Sequence, residues 1–135
     1  MNYDLRSYVK VYKKFLNKET CEDTLIQLKQ IEFTQHQFYD HSKGKTEPRS
    51  GKYELDYFTD YNNNKVKNSN FLIENIWHGI KQYQTDLNLP WYDSWEGFSA
   101  IKYNRYTENK KMALHIDHIK SLFEGEKRGI PILTC

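Results

Sequence analysis

The chain has 135 residues, 38% of them hydrophobic and 28% charged, with a formal net charge of +2. That length predicts one domain, no apolar run approaches the length of a membrane span, and the charge is too small and scattered for a nucleic-acid surface. Neither Cys21 nor Cys135 belongs to a metal-spaced pair, so a reduced, cytoplasmic setting is expected.

Aromatic residues make up 16% of the chain, including 11 Tyr, against a mean hydropathy of −0.91. They supply much of the potential core, and any buried tyrosine hydroxyl needs a partner. The opening MNYDLRSYVK lacks a signal-peptide core.

Tyr8-Val-Lys-Val-Tyr12 alternates and predicts a short strand. Asn17 is a candidate N-cap for a helix over about 18–31, with Cys21, Leu25 and Leu28 on its packed face. Phe33 to Tyr39 predicts a strand, with His36 and His41 in or near it as exposed or satisfied histidines. His41 to Lys52, rich in Lys, Ser, Gly and Pro, predicts a loop. Tyr53 to Phe58 alternates again, which would put Tyr53, Leu55 and Tyr57 on one face, and Tyr61 to Asn64 ends it as a turn.

A second helix is predicted over about 70–87, capped by Ser69 or Asn70 and stopped by Asn88 and Pro90. Ile73, Ile76, Trp77, Ile80, Tyr83 and Leu87 form its apolar stripe, and His78 falls off it. Trp91 to Trp95 links this helix to a C-terminal hairpin, its aromatics suited to packing or to lining a substrate groove. In that hairpin Phe98 to Tyr106 predicts a strand, Thr107 to Lys110 a polar turn, and Met112 to Ile119 the returning strand. His118 to Lys127 then predicts a loop.

The returning strand carries His115-Ile-Asp117. Residues i and i+2 of a strand share a face, so an imidazole and a carboxylate would stand side by side. Those are two corners of the 2-His-1-carboxylate facial triad of non-haem iron(II) oxygenases. The same spacing also occurs on ordinary surface strands, and the strand–turn–strand setting is what makes it informative here. His118 should point away from Asp117, and Tyr103 lies on the face opposite Tyr106.

With its tyrosine-bearing strand, polar turn and His-x-Asp, this stretch resembles the iron(II)/2-oxoglutarate-dependent dioxygenases of the prolyl 4-hydroxylase-like type. Tyr106 stands nine residues before His115, where that family places a tyrosine that contacts 2-oxoglutarate. The Arg128-Gly-Ile-Pro-Ile-Leu-Thr134 segment also fits. The resemblance covers the last third of the chain and extends weakly upstream. It implies hydroxylation of a peptidyl or small-molecule substrate, with Fe(2+) held by His115 and Asp117, 2-oxoglutarate as cosubstrate contacting Tyr106, and ascorbate as an accessory reductant.

In that family a second histidine and a basic residue follow well after the His-x-Asp motif. No histidine follows His118 here. The chain is therefore expected to match the front half of such an enzyme, weak or inactive alone, with a C-terminal half supplying the second His and the basic residue. The alternative is a non-catalytic remnant, a split half, or a jelly-roll binding module. The expected fold is α+β, with two helices packed on a mostly antiparallel sheet that forms the front portion of a double-stranded β-helix. One incomplete oxygenase domain would span 1–135, with N-terminal helices and strands over 1–97 and the first core strands over 98–135.

Overall fold

Asn17 and Asp60 illustrate how short polar side chains shape this chain, in a computed structural model that describes residues 4–40, 42–88 and 99–115. The Trp91 to Trp95 segment, Asp117, and the residues around and after it lie outside the described set. Two helices and antiparallel strand pairs make the fold class α+β. The helices are α1 (Lys18–Leu28) and α2 (Ser69–Leu87), and the strands are β1 (Thr34–Gln35), β2 (Phe38–Asp40), β3 (Lys45–Glu47), β4 (Asp56–Asp60) and β5 (Ile101–Arg105). Short 3-10 turns occupy Leu5–Tyr8 and Gly51–Tyr53. One sheet has the order β1-β4-β5, and β2 and β3 form a separate hairpin. No helix among the described residues is long and apolar enough to cross a membrane.

The chain divides into two compact units, one from Met1–Phe33 and Phe58–Tyr103, the other from Thr34–Tyr57 and Asn104–Cys135. In the first unit, α1 starts where expected, because the Asn17 side chain accepts a 2.7 Å hydrogen bond from the Thr20 amide. Its packed face differs from the expected one. Thr24 is buried, whereas Cys21 is exposed and Leu25 is 60% exposed. The neighbours of α1 are the polar groups of the segment before α2. The Lys67 amide donates to Gln27 Oε1 at 2.6 Å, and Asn68 Nδ2 donates to Thr24 Oγ1 and Asp23 Oδ2. Groups of that kind must keep hydrogen bonds when covered, so polar side chains face them and the leucine is left outside.

The Tyr8 to Tyr12 segment is likewise not a strand. A strand needs a partner edge, and Val9 and Val11 stand exposed. Tyrosine hydroxyls fasten the segment to α2 instead: Tyr83 donates to the Tyr8 carbonyl at 2.7 Å, and Tyr12 donates to Asp86 at 2.7 Å. Gly79 of α2 leaves room for the Phe15 ring, which a β-carbon there would approach to 3.0 Å.

The turn at Tyr61 to Asn64 is built on Asp60, a carboxylate with 1% exposure. It accepts from the amides of Asn64, Lys65 and Val66 and from the Ser69 hydroxyl. Ser69 Oγ also lies 2.9 Å from the Tyr103 hydroxyl. Ser69 thus opens α2 without capping it. At its other end, α2 stops on Asn88 in the left-handed region (φ 44°), as the sequence predicts.

In the second unit, the expected strand from Phe33 to Tyr39 splits, because its two ends pair with different partners. Thr34 and Gln35 pair with Tyr57 and Asp56, whereas Phe38 to Asp40 pair with Glu47 to Lys45. The expected loop over 41–52 therefore contains β3. Its turn is organised by Asp40, whose Oδ1 accepts from the Ser42 amide and hydroxyl, and by Gly44 at φ +62°. The Tyr53 to Phe58 strand begins later than expected, since Gly51–Tyr53 forms a 3-10 turn. Leu55 is fully buried and Tyr53 is exposed, so they do not share a face.

Candidate metal-ligand histidine and its surroundings

β5 and the turn after it follow the sequence expectation. Ile101–Arg105 is a strand, the Lys110 amide donates to the Thr107 carbonyl at 3.0 Å, and Asn109 adopts φ 64°. The return differs. Lys111 forms a parallel bridge with Glu54, its amide donating to the Tyr53 carbonyl at 2.8 Å and its carbonyl accepting from the Leu55 amide at 2.9 Å. Residues 112–115 then continue as irregular backbone, with a bend at Leu114, whose side chain is 97% exposed. His115 therefore sits on a bend held by specific contacts, not on a regular strand. Two ladder bonds to the residues flanking Glu54 take up both polar backbone groups of Lys111.

His115 Nδ1 lies 2.9 Å from the Ala113 carbonyl oxygen. A carbonyl oxygen can only accept, so this hydrogen bond requires a proton on Nδ1, and in the neutral ring that leaves the lone pair on Nε2. Metal-ligating histidines are held in this way, by a carbonyl or carboxylate at the ring nitrogen away from the metal. The imidazole also packs against Phe38, with centroids 5.3 Å apart. Phe38 carries the Arg49 guanidinium 4.8 Å from its centroid, and Arg49 donates to the Leu114 carbonyl at 3.2 Å. His36 also packs edge-on against Phe38 at 4.6 Å and against Tyr57 at 5.4 Å between centroids. His36, expected to be exposed or satisfied, is thus buried in an aromatic row.

Beside this row lies a cleft of about 260 Å³ lined by Phe38, Tyr39, Asp40, Ser42, Glu47 and Arg49. Its two carboxylates are held by lysines: Lys43 bridges Asp40 and Glu47, and Lys45 also reaches Glu47. The Ser42 hydroxyl, with help from Lys43, pulls the Asp40 carboxyl down to about 2. Lysine contacts likewise hold Glu47 below its ordinary value.

Tyr106, the candidate 2-oxoglutarate contact, lies just beyond β5 and is 56% exposed. Tyr103 is turned toward Ser69, and burial raises its phenol above the ordinary value. Asp117 falls outside the described residues, as does any convergence of its carboxylate with His115. Among the described residues no group of three or more His, Cys, Asp or Glu is placed to hold a metal ion. Sequence reasoning missed Phe38, which packs against His115, and Glu54 and Arg49, which hold Ala113 and Leu114 just before it. Glu54 alternates with apolar residues in Tyr53-Glu-Leu-Asp, a pattern that assigns it to solvent.

Comparisons with protein-family models, curated proteins and solved structures found no match.

Proposed function

We propose that His115 and Asp117 are two ligands of a mononuclear non-haem iron(II) site, and that the chain serves 2-oxoglutarate-dependent hydroxylation. The observation that carries this reading is the hydrogen bond between His115 Nδ1 and the Ala113 carbonyl, because it presents Nε2 as the metal-competent nitrogen. When bound, Fe(II) with 2-oxoglutarate and O2 supplies the oxidant, and 2-oxoglutarate is decarboxylated to succinate as a substrate is hydroxylated. The protein's part is to hold and orient. His115 offers a neutral nitrogen, Asp117 offsets metal charge with a carboxylate, and Tyr106 donates its hydroxyl to the cosubstrate.

In this reading the antiparallel strands belong to the front portion of a double-stranded β-helix. A second histidine and a basic residue on a C-terminal half complete the ligand set, and the substrate is peptidyl or a small molecule.

Anaerobic titration with Fe(II), and with Co(II) as a spectroscopic probe, tests the metal assignment. His115→Ala and Asp117→Ala should each weaken binding by at least about tenfold. Added 2-oxoglutarate should then raise the melting temperature of the iron-loaded chain, and Tyr106→Phe should diminish that rise. Equal metal affinity in the His115→Ala variant overturns the assignment and leaves the non-catalytic binding module as the better reading.

A further inference from the structure

Glu54 is a fully buried carboxylate in the second unit. Burying a charge without hydrogen bonds is costly, so its partners reveal what it is placed to hold. Oε2 accepts from the Ser50 amide at 3.1 Å, and Oε1 accepts from the Ala113 amide at 3.4 Å. Both arms lead to His115. The first closes the turn that follows Arg49, and Arg49 donates to the Leu114 carbonyl and covers Phe38, the ring against which His115 packs. The second fixes Ala113, whose carbonyl receives His115 Nδ1. The residues on either side of Glu54 meanwhile hold both polar backbone groups of Lys111. The backbone from Lys111 to Leu114 is thus gripped at Lys111, Ala113 and Leu114, and Glu54 stands at the centre of that grip.

We infer that Glu54 is a positioning residue that sets the orientation and tautomer of His115. This rests on the reading of His115 as a metal ligand for its functional meaning, but the structural linkage is testable without metal. Glutamine in this place cannot accept with both ends. Its amide would set a donor against the Ser50 or the Ala113 N–H, and one arm would be lost. With Ala113 released, His115 loses the acceptor that keeps the proton on Nδ1, and the ring reverts toward the tautomer mixture of a solvated imidazole.

The experiment is nitrogen-15 NMR of the His115 ring in the metal-free chain, for the parent and Glu54→Gln, with Arg49→Ala as a second variant that spares the buried carboxylate. The parent should carry its proton on Nδ1, and its Ala113 amide should exchange with solvent more slowly than the Leu114 amide. Glu54→Gln should shift the ring to a mixture dominated by the proton on Nε2, and Arg49→Ala should leave the tautomer on Nδ1 while loosening the packing on Phe38. A parent ring protonated on Nε2, a freely exchanging Ala113 amide, or a folded Glu54→Gln variant with an unchanged tautomer each overturns the proposal. If Glu54→Gln does not fold, the two measurements on the parent decide. Co(II) titration of the same variants separates the two readings. A tautomer that responds to Glu54 while His115→Ala leaves Co(II) affinity unchanged keeps the positioning and removes the metal. Co(II) affinity that depends on His115 but not on Glu54, with the tautomer unmoved, does the reverse.

Discussion

Asp60 takes hydrogen bonds from three backbone amides and one hydroxyl while almost wholly covered. Burial alone would push its carboxyl up, but the Val66, Ser69, Lys65 and Asn64 donors outweigh that and hold it below the ordinary value. A depressed folded value means the group contributes stability that is full above the unfolded pKa, near 3.9, and is lost as pH falls through the lower folded value. Asp60→Asn keeps the shape but removes the charge. It should cost about 2 kcal/mol at neutral pH and should flatten the acid limb of stability, measured by urea unfolding from pH 7 to pH 2. An unchanged acid limb would show that Asp60 is not the group being titrated. The turn itself was legible in Tyr61-Asn-Asn-Asn64, because its donors lie within six residues of Asp60. The burial was not, since it depends on Ser69 and Tyr103 arriving from elsewhere.

At the level of single elements, α1 separates what a helix pattern predicts from what the helix packs against. The cap at Asn17 and the start of the helix are local, and both were legible, although α1 ends at Leu28 instead of continuing to 31. The inward face was misassigned, because hydrophobic spacing takes no account of the Lys67 backbone amide and the Asn68 side-chain amide that α1 meets. Leu25→Ala should therefore change stability by less than about 0.5 kcal/mol, whereas Thr24→Ala, which removes one of the two acceptors of Asn68 Nδ2, should cost about 1 kcal/mol. Thermal unfolding of the two variants checks the contrast, and a larger loss at Leu25 would restore the apolar face as the packed one. The division of Phe33 to Tyr39 into β1 and β2 has a related origin. Its residues suit a strand throughout, but which edge each end meets is decided by β3 and β4.

Across all the described residues, an α+β architecture with two helices and antiparallel strand pairs follows from the alternation of stripes and strand signals. Among these residues, the buried apolar side chains are Leu55, Val66 and Leu72, and the buried polar residues are Thr24, His36, Glu54, Asp60 and Ser69. Stability therefore depends on few apolar positions together with satisfied polar ones. Leu55→Ala should destabilise by about 2–5 kcal/mol, whereas Leu114→Ala, on a side chain 97% exposed, should stay within about 0.5 kcal/mol. Urea midpoints measure both. Near-equal values would mean that Leu55 is not a core residue.

Residue order alone accounts for the features whose physics is complete within a few positions. The helix α2 ends on a left-handed Asn88, Asn17 caps α1, and polar turns follow Asp60 and β5. Short side chains and permissive backbone conformations act over the next turn of chain, so composition and spacing suffice to read them. The same reading marked His115 as a residue of interest. Packing between distant segments was needed to put Glu54 inside, to set His115 on a bend with its Nδ1 at a carbonyl, and to stand Phe38 and Arg49 beside it. Those outcomes depend on which distant backbone groups need partners when water is removed. That balance is set between segments roughly 60 residues apart, such as Glu54 and Ala113.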